Sequence, residues 1–152
     1  MILEGQVLGF DQDSLDDLYG KYDDPSETLP ELDQDEFLQR FTAVKNYLIE
    51  MNGQEGIVAR YVKGFGHFYT LWAFVALTKD LPSAPTIADR YKGFIEKVQT
   101  LAEQTDLEAF LRDAEAGEYT VPLTYLTSSR GASTDLGPRT QRLDALKDAL
   151  LE

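Results

Sequence analysis

A chain of 152 residues, 43% hydrophobic and 27% charged, has the balance of one folded domain with a real core and not of a disordered segment. It contains no cysteine, which excludes disulfides, thiolate zinc sites and cysteine nucleophiles together. A net charge of −13 argues against direct binding to a phosphate backbone and favours a basic partner.

The charge is unevenly placed. Residues 1–36 hold twelve acids against Lys21 alone, a local charge of −11, whereas residues 37–152 hold fifteen acids and thirteen bases. The expected organisation is an acidic arm over 1–34 followed by a near-neutral helical domain over 35–152. The start, MILEGQVLGFDQD, lacks the cationic stretch of a secretory signal and meets acid at Glu4, so a cytoplasmic location is the expectation.

Within the arm, LDDLYGKYDDP places Leu15, Leu18, Tyr19 and Tyr22 at helical spacing. Ser14 could cap a short helix there, and Asp23-Asp24-Pro25 would end it. The aromatics predict that the arm docks on an apolar surface, since a tail of pure charge has no use for them. Asp11, Asp13, Asp16, Asp17, Asp23 and Asp24 form its candidate surface for a basic partner. A calcium loop does not fit. Asp11-x-Asp13 opens like an EF-hand, but Leu15 takes the third ligand position, Asp16 replaces the required glycine, and Tyr22 stands where the bidentate glutamate belongs.

The first strong helix follows. Asp33 and Glu36 have capping-box spacing, and the apolar stripe runs Phe37, Phe41, Val44, Leu48, Met51 until Asn52-Gly53 stops it. A short helix over 57–63 leads into GFGHFYTLWAFVALT, where Thr70 is the one polar residue between Phe68 and Leu77. A helix over 66–78 would be about 20 Å long, short of the about 30 Å of a hydrocarbon core. Apolar on every side and bracketed by Lys63 and Lys79-Asp80, it reads as the central helix of a bundle, with no membrane involved. Gly64 and Gly66 would let the chain bend as it begins, and Pro82 would end it. Phe65, Phe68, Leu71, Trp72, Val75 and Ala76 are expected to be mostly buried.

After Pro82, Thr86 and Asp89 have capping spacing ahead of Ile87, Tyr91, Phe94, Val98 and Leu101. Thr105 and Glu108 repeat the signature before Leu107, Phe110, Leu111 and Ala114, with Gly117 as C-cap. Residues 119–127 fit two descriptions: Tyr119, Thr120 and Val121 extended, or a helical turn opened at Pro122. A last helix begins near Pro138 and carries Leu143, Leu146 and Leu150. No set of alternating strands occurs, so the expected fold is all-α, a single-domain bundle or array of six to eight helices around the central apolar one.

Chemistry is sparse. His67 is the single histidine, and at the mouth of an apolar helix it reads as a hydrogen-bonded packing residue before a general base. Glu50, Glu55, Glu96, Glu103 and Glu108 are scattered, and no pair forms an acid–base couple. No catalytic constellation, cofactor or metal site is expected. The stretch TYLTSSRGASTDLGPRTQR is the exception in character. Arg130, Ser133 and Thr134, with Arg139 and Arg142 on the first turns of a helix, could cradle an anion or a partner's acidic group. The same string also describes an ordinary capped surface loop, and Asp135 inside the cradle favours that description.

The run YLTSSRGASTDLGPRTQRLDALKDAL resembles the end of the C-terminal helical region of the ParB-like, GmrSD-type restriction family, where a hydroxyl-rich loop precedes a helix with two closely spaced arginines, here Arg139 and Arg142. FLQRFTAVKNYLIE and HFYTLWAFVAL are similar in order and character to that family's helices, so the resemblance spans roughly residues 35–151. In the family, cleavage depends on an Asp-Gly-Gln-Gln-Arg type string in a ParB-like domain. That string is missing here, so no catalytic residue carries over. The resemblance implies a non-catalytic helical accessory domain, an excised piece or a separate relative, that docks, senses or regulates in phage defence beside a nuclease-type domain. The alternative is a stand-alone acidic inhibitor or nucleic-acid mimic acting through the arm. A small-molecule carrier and a carboxylate–metal enzyme rank below both.

Overall fold

The computed structural model describes residues 34–53, 55–115, 117–130 and 135–151, with the isolated positions 16 and 20. Among these residues there are seven helices and no strand. They are α1 Gln34–Asn52, α2 Ile57–Tyr61, α3 Phe65–Leu77, α4 Ala84–Ala102, α5 Leu107–Asp113, α6 Thr120–Ser128 and α7 Leu136–Leu151. The all-α expectation holds. None of these helices is long and apolar enough to cross a membrane.

Helix α1 carries Asp35 and Glu36 in its first turn, where the helix dipole favours acid. Its expected N-cap, Asp33, lies outside the described residues. At the other end Gly53 adopts φ 47° and returns its N–H to the Ile49 carbonyl, the left-handed stop that glycine makes cheaply. Asn52 then accepts from the Ala59 N–H at 2.9 Å, tying α1 to α2.

Two capping assignments move. Ser83, not Thr86, caps α4: its Oγ accepts from the Thr86 N–H, and Pro85 sits in the first turn, where no amide proton is needed. Asp106, not Thr105, caps α5, accepting from the Ala109 N–H at 2.9 Å. In both places two cap-capable residues stand close together, and spacing alone cannot choose between them. Gly117 keeps a left-handed φ of 91°, but α5 has already ended at Asp113, so it turns the chain toward α6 instead of capping α5. Residues 120–128 resolve as helix, with Pro122 in its first turn and no extended strand before it. Likewise α3 ends five residues short of Pro82, at the extended Thr78, and Asp80 turns the chain with φ 52°.

Helix α4 packs on α1, α2, α6 and α7, and its stripe Ile87, Tyr91, Phe94, Val98, Leu101 is wholly buried. Helix α3 lies between α1 and α7, and α6 and α7 pair closely. Leu71 and Phe74 of α3, Tyr125 of α6, and Leu146 and Leu150 of α7 are fully buried, each apolar side chain contributing about 1.5–3 kcal/mol relative to exposure. The burial of α3 is one-sided at its start, however. Leu71 and Val75 are buried as expected, but Trp72 and Ala76 are half-buried, and Phe65 and Phe68 are 72% and 40% exposed. On α1, Val44, Leu48 and Met51 reach the core while Phe37 and Phe41 stay open to solvent. A sequence apolar all round carries no moment, so it could not say which side of α3 would be left uncovered.

Candidate functional site

The start of α7 turns two arginines inward. Arg139 and Arg142 are buried, three residues apart on one helical face. Arg142 donates through Nη1 to the Ser128 carbonyl at 2.6 Å and through Nε to Thr70 Oγ1 at 3.2 Å. Ser128 ends α6, so its carbonyl belongs to the last turn, which has no acceptor role left inside the helix and which a cation stabilises. Thr70 in turn donates to the Gly66 carbonyl, so one guanidinium ties α3, α6 and α7 together. Arg139 stacks over the Tyr69 ring at 4.1 Å, a cation–π contact. Burial first, then the neighbouring Arg139 charge, lower the pKa of Arg142, while Tyr125 and Tyr69 oppose that shift.

Of the sequence candidates, these two come together. Arg130 is exposed beyond the end of α6, its N–H bonded to the Thr127 carbonyl. Ser133 and Thr134 lie outside the described residues, as do Asp11, Asp13, Asp17, Asp23 and Asp24 of the acidic arm and its expected docking on the domain. Asp16 is described and exposed.

His67 stacks on Tyr125 with ring centroids 5.6 Å apart, and its Nδ1 lies 2.9 Å from Tyr125 Oη. Burial pushes the Tyr125 pKa far up, so the phenol keeps its proton beside Nδ1. Burial, and secondarily the Arg142 charge, push the His67 pKa down, holding the ring neutral.

A second feature was not legible as a site. Phe37, Phe41, Trp72 and Phe68 form a chain of aromatic contacts, with centroids 6.5, 5.1 and 6.0 Å apart in that order, across the outer faces of α1 and α3. Beside it, α1, α2 and α3 enclose an open groove of about 360 Å³ whose walls include Leu48, Ile49, Val58, Phe68 and Trp72, with Lys45 the one charged member among the described residues. Ile49 is 64% exposed. The signal that could have found it is positional: Ile49 is apolar but stands off the buried stripe Val44, Leu48, Met51. The chain from Gly56 to Thr78 contains Arg60 and Lys63 and no acid, whereas α1 carries Glu50 next to Ile49. No group of three or more histidine, aspartate or glutamate residues able to hold a metal occurs among the described residues.

No known protein family, curated protein or solved structure matches the chain.

Proposed function

We propose that the protein is a non-catalytic helical interaction domain that takes an acid-flanked amphipathic helix of a partner protein into the groove between α1, α2 and α3. The observation that carries this reading is the aromatic face. Phe37 packs on Phe41, and Phe41 and Phe68 pack on Trp72, yet all three phenylalanines stay substantially exposed beside the bare Ile49. Contiguous exposed apolar surface marks interaction sites more often than it occurs by chance on a monomer. The shape suits a helix laid in a groove with anchors three or four residues apart. Lys45 in the wall, with Arg60 and Lys63 nearby in the sequence, selects acid on the partner's flank. The resemblance to the helical region of ParB-like restriction proteins agrees with an accessory role, with a nuclease-type protein as partner.

The test places a photo-reactive amino acid at Ile49 of the full chain in its native cells. A discrete adduct whose sequenced segment is amphipathic and acid-flanked, and which disappears with Phe41→Glu or Lys45→Glu, supports the reading. Cross-links confined to a second copy of this chain, or an adduct indifferent to both substitutions, refute it.

The acidic arm supports a second reading, a binder of basic surfaces, because residues 1–36 concentrate a charge of −11. Deleting residues 4–36 would then abolish binding to a basic partner, and affinity would fall steeply with salt. Salt-insensitive binding excludes it.

A further inference from the structure

At the start of α3 lies a half-enclosed cavity of about 200 Å³, lined by Lys63, Gly64, Gly66, His67, Ser129 and Arg142. One water needs only about 10–15 Å³ of such volume, so the space admits a polyatomic ion. We propose that this cavity binds a small tetrahedral oxyanion, the phosphoryl class of ligand.

Among the described residues the lining holds two cations, Lys63 and Arg142, and no acid. Arg142 is 1% exposed and fixed by its bonds to Ser128 and Thr70, so its charge faces the cavity preorganised and not on a swinging surface side chain. Lys63, also in the lining, is exposed, its Nζ only loosely held at 3.4 Å from the Ala59 carbonyl, and it can swing onto an anion. His67, whose Nδ1 is engaged with Tyr125 Oη, brings its ring to the lining beside them. Such a set of charge-assisted donors is what an oxyanion needs.

The backbone adds to these side chains. Gly64 and Gly66 have open space where a Cβ would stand, so a ligand can approach the first turn of α3 closely. That turn carries no acid and no side-chain cap. An aspartate at position 66 would suit the helix dipole by about 0.3–1 kcal/mol, yet the sequence places Lys63 before it and glycine within it. Of the residues that spacing had suggested for a cradle, the cavity takes Arg142 and adds the start of α3. It shares only Lys63's neighbourhood with the docking groove and does not rest on that reading.

The test is a titration of the ¹⁵N-labelled full chain at pH 7.5 with inorganic phosphate, and in a second arm with a nucleoside monophosphate, against sodium chloride of equal ionic strength. Saturable shifts at the amides of Gly64, Gly66 and His67 are expected, with Gly66→Asp weakening affinity at least tenfold while the spectrum stays that of a folded protein. Lys63→Ala should weaken it several-fold. A nucleotide at least tenfold tighter than phosphate assigns the phosphoryl group of a nucleotide, and equal affinity assigns free phosphate. Shifts reproduced by chloride, shifts absent from these three amides, or wild-type affinity in Gly66→Asp overturn the proposal.

Discussion

Tyr91→Phe and Tyr47→Phe make the same chemical edit, loss of one phenolic oxygen, in two environments that predict opposite signs. Tyr91 is fully buried on α4, and its Oη has no hydrogen-bond partner among the described residues. Burial raises its pKa well above the usual tyrosine value, so the group stays a neutral hydroxyl. An unsatisfied buried donor costs about 1–3 kcal/mol, and phenylalanine removes it while keeping the ring's contacts. After allowance for the small void, Tyr91→Phe should stabilise the protein by about 1 kcal/mol, or about 2–4 °C in Tm for a chain of this size. Tyr47 differs. Its Oη donates to the Pro82 carbonyl at 2.8 Å, joining α1 to the turn before α4, and burial lifts its pKa to about 12. Tyr47→Phe loses that bond and should destabilise by about 0.5–1.5 kcal/mol. Urea unfolding at pH 7 measures both, with unchanged m-values as the check that the midpoint shift is a stability change. If Tyr91→Phe is destabilising by more than about 0.5 kcal/mol, or if both variants move the same way, the accounting of buried polar groups in this core is wrong.

Two further predictions follow from α3. His67 has a folded pKa below its ordinary 6.5, so the unfolded chain binds the proton more readily; the stability it contributes is full above pH 6.5 and is lost as pH falls through the folded value. In thermal scans from pH 7.5 to 5, above the range where unfolded carboxylates titrate, His67→Gln should flatten the decline of Tm, and an unaltered slope would show that the ring is not held neutral. Phe74→Ala, at a fully buried position, should cost about 3–5 kcal/mol in urea unfolding. Phe68→Ala, at 40% exposure, should cost less than half as much; equal costs would make the aromatic face part of the core and remove the basis for docking there.

Local pattern carried much of the architecture. The 3.6-residue repeat of Ile87, Tyr91, Phe94, Val98 and Leu101 is a property of one segment, and every member is buried. The same holds for Leu143, Leu146 and Leu150 on α7, and Asn52-Gly53 stops α1 because glycine enters a left-handed turn without the steric cost of a Cβ. The site residues depended on distant chain. Arg142 is inward because the Ser128 carbonyl, fourteen residues away, and Thr70, on another helix, meet its guanidinium there. An arginine in sequence is equally a surface charge, and only the arrival of acceptors makes burial affordable. The uncovered side of α3 is the same kind of fact. Its residues are apolar in every direction, so their periodicity names no outward face. Exposure at Phe65 and Phe68 arises because α1 and α7 flank the helix and leave its first turns partly open, a consequence of where helices lie in space that no spacing along one of them encodes.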